Sequence, residues 1–358
     1  MKTCDDRDLS AVVKDLESYN TQMQKQFAGP QPDEDGGEPP EVAPVGFVAD
    51  LLANSKIWQW SGIGFGEQET YRLQKSLKNL SGKVTATSLN FFGKITGTES
   101  DYYIAEGTVE GGEEGEGEGE EKDADFEPSG TGVNKYSYFV ASNSLCEWTK
   151  LPDLTPTQIK ASRCVKVLFS GDLERKIFTN PHFEGQEKHY LRAQIARISH
   201  STTLIPKGLM RPVEDSETRE IEENTPEEGE IVMPSTNQMK NLEMWTHLNK
   251  NILLNGTTSL KTPEAPEGEE WDEDKTNEEM KKLLASDPYA PLLAPISDDA
   301  KISISKTVKQ AAWTARIMGD ASEYKNEMGG KSVSNGVAVV RSLQWPGSYT
   351  FYHQGRFM

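Results

Sequence analysis

Three acidic runs interrupt this chain of 358 residues, and they limit what it can fold into more than any other feature. Residues 110–127 hold ten acidic residues and one lysine, residues 214–230 hold nine and one arginine, and residues 264–279 hold nine and one lysine. Segments of Gly and Glu bury too little apolar surface to offset the entropy that is lost on folding. The runs together carry a charge of −25, whereas the whole chain carries −19. The sequence therefore predicts a nearly neutral folded body with solvated acidic loops.

The overall charge argues against two classes of partner. Nucleic acids and anionic membrane surfaces bind clusters of Lys and Arg, but this chain has 38 basic and 57 acidic residues. We therefore expect no nucleic acid and no membrane among its partners. No apolar run approaches the length of a membrane span. The three cysteines, Cys4, Cys146 and Cys164, do not form a CxxC motif. A reducing compartment inside the cell is expected.

The apolar pattern predicts an α+β fold, with one mixed body of antiparallel strands and packed helices that is interrupted by disordered acidic loops. Residues 1–44 are interpreted as an N-terminal helix and an acidic, Pro-rich linker. Residues 45–358 are interpreted as the body, with acidic insertions at about 108–130, 212–235 and 262–279.

Helix and strand signals alternate along the body. Apolar residues three or four positions apart predict helices. Four of them span residues 47–58, Glu67–Leu80, Glu187–Ile198 and Asn237–Leu254. Two more are predicted from their N-terminal caps, one at Thr155 with Gln158 and a short one at Thr276. Alternating apolar residues predict the strands, and these are a hairpin of Leu89–Ile95 with Tyr102–Ala105, a strand at Lys135–Val140, and C-terminal strands around Val337, Val339, Tyr349 and Phe351.

Motifs that would carry chemistry are weak throughout the sequence. The glycines at Gly62–Gly66 lack the GxGxxG spacing of a dinucleotide loop and indicate a corner between two helices. His182 and His189, with two glutamates between them, form the nearest approach to a metal site, and solvated or capping histidines are the simpler interpretation. We therefore expect no catalytic residue, no metal and no cofactor, and we expect that the chain is not an enzyme.

Six blocks in order resemble the radial spoke head family, specifically its 4/6-type subunits. The blocks are Ile57–Glu67, Phe91–Gly107, Asn134–Ile159, Tyr190–Ile198, Pro291–Leu293 and Arg341–Gly347. They cover most of residues 45–352, and the most specific is Tyr190–Ile198. Phe92 stands where the family often has Trp. The related 9-type subunit shares the hairpin and the Trp-Pro-Gly ending but typically lacks the Tyr190 block.

The resemblance implies a non-catalytic structural subunit of the radial spoke head, in the axoneme of the cilium or flagellum and thus in the cytoskeleton of the cytoplasm. It implies pairing with a sister 4/6-type subunit as a homo- or heterodimer, and assembly with 9-type and other head proteins. It further implies transient contact with central pair projections, relayed to dynein to control beating.

The side chains that carry these blocks are candidates for assembly contacts, and packing in the core is the alternative interpretation for them. They are Trp58, Trp60, Phe92, Tyr102, Tyr103, Trp148, Tyr190, Arg192, Arg197 and Trp345.

Two other functions remain open at this point. One is an acidic assembly scaffold or chaperone outside cilia, which expression confined to motile ciliated cells would argue against. The other is a low-affinity calcium binder acting through its carboxylates, although no DxDxDG loop is present.

Overall fold

The computed structural model describes residues 47–84, 86–109, 125–142, 147–213, 219–225, 233–263, 265, 271–302, 312–320, 322 and 335–358. These residues form an α+β fold of two main sheets and the helices that pack on them. The N-terminal helix and linker predicted for residues 1–44 lie outside the described residues. So do residues 110–124 of the first acidic run and parts of the other two.

The first sheet contains five strands in chain order. They are β1 (Phe47–Val48), β2 (Ala86–Ile95), β3 (Tyr102–Val109), β4 (Ser137–Ala141) and β5 (Thr149–Lys150). Only the β1–β2 pair of this sheet is parallel. The predicted hairpin is confirmed as β2 and β3, and the predicted third strand is confirmed as β4.

Two helices, α1 (Leu51–Trp60) and α2 (Glu67–Ser81), cover one face of this sheet. The side chain of Asp50 accepts a hydrogen bond of 3.0 Å from the backbone nitrogen of Ala53, which caps α1. The helix therefore begins at Leu51 rather than at Phe47, because Phe47 pairs with β2. Three glycines with φ of 74°, 150° and 81° turn the chain between the helices, which confirms the predicted corner at Gly62–Gly66.

The helices α3 (Pro156–Cys164) and α4 (Glu187–Thr202) pack on each other, and α4 packs on the opposite face of the sheet. The predicted capping box is present, since the Thr155 hydroxyl accepts from the backbone nitrogen of Gln158 at 3.3 Å and the Gln158 side chain accepts from Thr155 in return. Leu191 and Ile195 of α4 are fully buried against the strands.

The second main sheet is antiparallel and lies near the C-terminus of the sequence. Its strands are β10 (Trp313–Met318), β11 (Val337–Ser342), β12 (Tyr349–His353) and β13 (Arg356–Phe357). Val337, Val339 and Phe351 on one face pack against α1, and Ala338, Val340 and Tyr352 on the other pack around Trp245. The C-terminal strands predicted from the sequence are confirmed.

The helix predicted at Asn237–Leu254 is wrong. The chain instead forms 3₁₀ turns at Gln238–Lys240 and Leu242–Met244, and then the strand β9 (Trp245–His247), which pairs with β6 (Leu204–Pro206). A second small ladder joins β7 (Met210–Pro212) to β8 (Ile221–Glu223).

Two local interactions explain this difference. The side chain of Asn241 accepts from the backbone nitrogen of Glu243 at 3.1 Å, a contact that competes with helix formation. The Trp245 indole is fully buried and donates to the Met239 carbonyl oxygen at 2.9 Å. The apolar residues that suggested one face of a helix instead lie in a segment of 3₁₀ turns and a strand, in which Met239 and Trp245 are buried.

The remaining helices are α5 (Glu273–Ser286) and α6 (Asp299–Ile302). The carboxylate of Asp272 caps α5 by accepting from the backbone nitrogen of Lys275 at 2.9 Å. The predicted cap at Thr276 is therefore wrong, because Thr276 lies inside a longer helix. The last acidic run continues into this helix, where acidic residues near the first turn suit the helix dipole.

Candidate functional site

Trp58 joins the two main sheets. Its ring lies edge-on to Phe65, with centroids 6.5 Å apart, and 6.4 Å from Phe351 of β12. It packs with the clusters on both sheets. The side chain is half-buried, and from this position Trp58 joins the two halves of the body.

Neighbouring tyrosines of the hairpin reach helices on opposite faces of the first sheet. The Tyr102 hydroxyl donates to Glu187 of α4 at 2.8 Å, and the Tyr103 hydroxyl donates to Glu69 of α2. The Lys94 ammonium lies 3.3 Å from Glu69 and 4.8 Å from the centre of the Tyr103 ring. The hairpin is thereby fixed to the helix layer on each side.

Three further aromatic candidates also make internal contacts. The Trp148 indole donates to the Ser76 hydroxyl at 2.8 Å, and Phe92 lies edge-on to Tyr138 at 5.6 Å. Tyr190 is buried and accepts from the backbone nitrogen of Val167 at 3.2 Å. These contacts join separate segments of the body.

The two arginine candidates anchor α4. Arg192 is fully buried, donates to the Val133 carbonyl oxygen at 3.0 Å and lies 4.6 Å from the centre of the Tyr138 ring. Arg197 donates to the Ser162 carbonyl oxygen at 2.8 Å and lies 5.1 Å from the centre of the Trp345 ring. Burial lowers the pKa of both guanidinium groups, but their ordinary pKa is so high that they stay charged.

Trp60 differs from the other nine candidates because its side chain is 59% exposed. Its ring lies edge-on to His353 of β12 at 5.3 Å. The structure thus brings most of the candidate side chains into packing contacts and leaves Trp60 on the surface. An assembly contact through Trp60 stays a prediction.

The sequence did not single out Glu127, yet its carboxylate joins the end of the first acidic run to the segment that precedes the third. Glu127 is only 7% exposed. One oxygen accepts from the backbone nitrogen and the hydroxyl of Thr258, both at 3.0 Å, and from the Ser259 hydroxyl at 2.9 Å. The other oxygen accepts from the backbone nitrogen of Val133 at 2.8 Å. We call this set of contacts the Glu127 clasp.

A glycine lets the backbone approach this carboxylate closely. Gly132 has a φ of 52°, and a Cβ at this position would overlap the Glu127 carboxylate. The signal in the sequence is the change from Gly-Glu repeats to Phe126-Glu127-Pro128, followed by Gly130 and Gly132. That signal indicates a turn but does not reveal its partners.

The clasp brings the bases of all three acidic runs together. Thr258 lies just before the third run, and its carbonyl oxygen accepts from the Arg219 guanidinium, within the second run, at 3.0 Å. Lys261 lies 3.6 Å from Asp125 at the end of the first run. Described residues at the ends of the three runs are therefore in contact, although they are far apart in sequence.

Two residues of the motif considered as a metal site, Glu187 and His189, make internal contacts instead. Glu187 is buried and pairs with Arg175 at 2.7 Å, and His189 accepts from the backbone nitrogen of Gln186 at 3.1 Å. Within the part of the chain that the structure describes, no group of three or more His, Cys, Asp and Glu is arranged to hold a metal ion. Among the same residues, no helix is long and apolar enough to span a bilayer.

Comparisons with known proteins identify the relatives of this chain. A family model described as radial spokehead-like protein matches residues 2–128 and 120–358. The chain is 32% identical to radial spoke head protein 6 homolog A of Mus musculus over 356 residues, covering 85% of this chain and 47% of that protein. It is 30% identical to radial spoke head protein 4 homolog A of Homo sapiens, covering 87% and 46%.

A flagellar relative matches at a similar level. Flagellar radial spoke protein 4 of Chlamydomonas reinhardtii is 31% identical over 331 residues, covering 87% of this chain and 66% of that protein. The chain thus spans about half to two thirds of the length of these relatives. The resemblance seen in the sequence is confirmed, and the chain belongs to the radial spokehead-like family.

Proposed function

We propose that the chain is a non-catalytic structural subunit of the radial spoke head. The localisation that family membership supports is the axoneme of the cilium or flagellum. In this role the chain pairs with a sister 4/6-type subunit, assembles with 9-type and other head proteins, and contacts the central pair transiently. The contact is relayed to dynein and controls beating.

The contacts that join described residues at the ends of the three acidic runs are the observation that carries this proposal. The Glu127 clasp joins residues 127 and 258, and Arg219 joins the second run to the same residue. A solvated surface of one charge resists lasting adhesion, because desolvating and crowding like charges is unfavourable. Such a surface suits a contact that must form and release during each beat. The packed body would supply the permanent assembly contacts.

The test distinguishes the role of the acidic segment from that of the Glu127 clasp. Deletion of residues 111–124 in a motile ciliated cell removes acidic residues that precede the clasp and leaves Asp125 and Glu127 in place. We expect the spoke head to assemble normally and the waveform or beat frequency to change. Electron tomography of the axoneme and high-speed video measure these two outcomes.

A matched deletion of residues 111–127 also removes the clasp. We expect this variant to be less stable and to reach the axoneme in smaller amounts, since Thr258 and Val133 lose their acceptor. Loss of the assembled head in the shorter deletion would contradict the proposed role of the acidic segment. Normal beating with an assembled head would contradict it as well.

A further inference from the structure

Three threonines of this chain are each followed directly by proline, and they are Thr155, Thr225 and Thr262. Proline restricts the residue before it to extended backbone and offers no backbone donor of its own. Protein kinases of the proline-directed class recognise a Ser or Thr by this feature. The position of each threonine in the fold therefore decides whether such a kinase can reach its hydroxyl.

Thr155 is held by the fold. Its hydroxyl accepts from the backbone nitrogen of Gln158 at 3.3 Å and caps α3, and Pro156 is the buried first residue of that helix. A Cβ at Gly256 would lie 2.6 Å from the Pro156 carbonyl oxygen, so a second segment covers this turn closely. A kinase would have to open the start of α3 to bind Thr155, which makes this threonine an internal control.

Thr262 lies in a different setting. Lys261 and Thr262 are both exposed, and the described residues 261–263 lie outside any helix or strand. The Glu127 clasp ends at Ser259, upstream of Thr262. An extended stretch around Thr262 can therefore enter the substrate cleft of a kinase while the clasp stays closed.

Local charge distinguishes Thr262 from Thr225, which is also exposed. Within three positions of Thr225 lie four glutamates, whereas within three positions of Thr262 lie one lysine and one glutamate. A phosphate adds a charge of about −1.5 to −2 at pH 7, and neighbouring carboxylates repel it. The Lys261 ammonium instead attracts it. A phosphate is therefore accommodated better on Thr262 than on Thr225.

We propose that Thr262 is a phosphorylation site for a proline-directed protein kinase. The Thr262 hydroxyl oxygen attacks the γ-phosphorus of Mg-ATP, the bond from that phosphorus to ADP breaks, and the hydroxyl proton passes to the catalytic base of the kinase. The new phosphate competes with Asp125 for Lys261, because the ion pair between these two residues is loose at 3.6 Å and largely exposed. Phosphorylation thereby loosens the contact between the first and third acidic runs, a regulation that goes beyond the proposed structural role.

The test uses the purified full chain, Mg-ATP and a recombinant kinase of the mitogen-activated class. Tandem mass spectrometry follows the phosphate at each Thr-Pro pair over time. We expect Thr262 to be modified at least about tenfold faster than Thr155, which requires local opening of α3. Pro263→Ala keeps the Thr262 hydroxyl but should slow its modification at least about fivefold, because residue 262 is no longer restricted to extended backbone. Thr262→Val should abolish the modification at this position.

Three results would overturn the assignment of Thr262. They are equal rates at Thr262 and Thr155, faster modification of Thr225 than of Thr262, and an unchanged rate in Pro263→Ala. Each would show that the exposed Thr-Pro pair before the third acidic run does not direct the kinase.

Hydrogen exchange tests the link to the first acidic run. After phosphorylation, the backbone amides of residues 125–133 should exchange at least about twofold faster, because Asp125 loses its ion pair with Lys261. Lys261→Gln should produce a similar change without any phosphate. Unchanged exchange in the fully phosphorylated chain would contradict the competition for Lys261.

Discussion

Glu127 and Thr258 are 131 residues apart in the chain, yet two hydrogen bonds of 3.0 Å join them. One leaves the backbone nitrogen of Thr258 and the other leaves its hydroxyl, and both end on the same carboxylate oxygen. This clasp joins the end of the first acidic run to the segment that precedes the third.

Replacement of Glu127 by Ala should lower the free energy of unfolding by about 3 kcal/mol, because several buried donors lose their acceptor. Asp125→Ala is the matched control, since Asp125 is half exposed and its ion pair with Lys261 is loose at 3.6 Å. The control should change stability by less than about 0.5 kcal/mol. Urea unfolding followed by Trp fluorescence measures both. Equal losses of unfolding free energy in the two variants would show that the clasp does not stabilise the body more than an exposed ion pair does.

Gly132→Ala should destabilise the body by at least about 2 kcal/mol. Its φ of 52° disfavours any side chain, and a Cβ would overlap the Glu127 carboxylate. Gly130→Ala shares the positive φ, at 85°, but a Cβ there meets no atom within 4 Å. It should therefore cost only about 1 kcal/mol. Thermal unfolding measures both variants. Equal losses of stability would show that the close approach of Gly132 to the Glu127 carboxylate does not explain why glycine is needed there.

The pH dependence of stability should contain a contribution from His200. Burial lowers the pKa of His200 to about 4, and this effect exceeds that of its hydrogen bond to the Lys250 carbonyl oxygen, 2.5 Å away. The unfolded histidine has its ordinary pKa of about 6.5, so between pH 6.5 and pH 4 the unfolded state binds a proton that the folded state does not. Stability should therefore be complete above pH 6.5 and should fall by about 1–3 kcal/mol as the pH is lowered to 4.

His200→Asn tests this contribution because Asn keeps a donor near the Nδ1 position and does not titrate. Unfolding free energies measured from pH 7 to pH 4 should show a shallower slope in this variant. His182→Asn is the control for the exchange itself, since the His182 side chain is exposed. An unchanged slope in His200→Asn would mean that other groups control this pH range.

The two tryptophans of α1 should respond differently to truncation. Trp58→Ala should cost about 2–4 kcal/mol, because Trp58 packs between both main sheets. Trp60→Ala should change stability by less than about 1 kcal/mol, since its side chain is 59% exposed. If Trp60 is an assembly contact, its variant should fold normally and still be depleted from spoke heads in the axoneme. Full incorporation would remove Trp60 from the candidates.

Local rules predicted those parts of the fold whose causes lie close together in sequence. The Thr155 capping box and the glycine corner after Trp60 depend on residues a few positions apart, and both have the predicted form. The hairpin was predicted for the same reason, since its alternation and its turn lie in one short stretch. The fold class and the C-terminal strands followed from the same patterns.

Long-range contacts account for what the sequence could not predict. The apolar spacing at Met239, Leu242 and Trp245 imitates a helix, but burial of the Trp245 indole and pairing of β9 with β6 determine the structure. Glu127 lies in an acidic run like any solvated acid, and only its contacts with Thr258 and Ser259 distinguish it. Most of the aromatic and arginine candidates proved to join helices and strands, which short sequence blocks cannot distinguish from assembly contacts.

The central claim is that the chain is a fixed part of the axoneme, and fractionation of isolated motile cilia tests it most directly. Cilia are extracted first with detergent and then with salt, and the chain is followed together with other spoke proteins. We predict that it stays with the detergent-insoluble axoneme and leaves only when the other spoke head proteins leave. Recovery in the soluble matrix or in the cell body would contradict the account and would favour an acidic scaffold outside the axoneme.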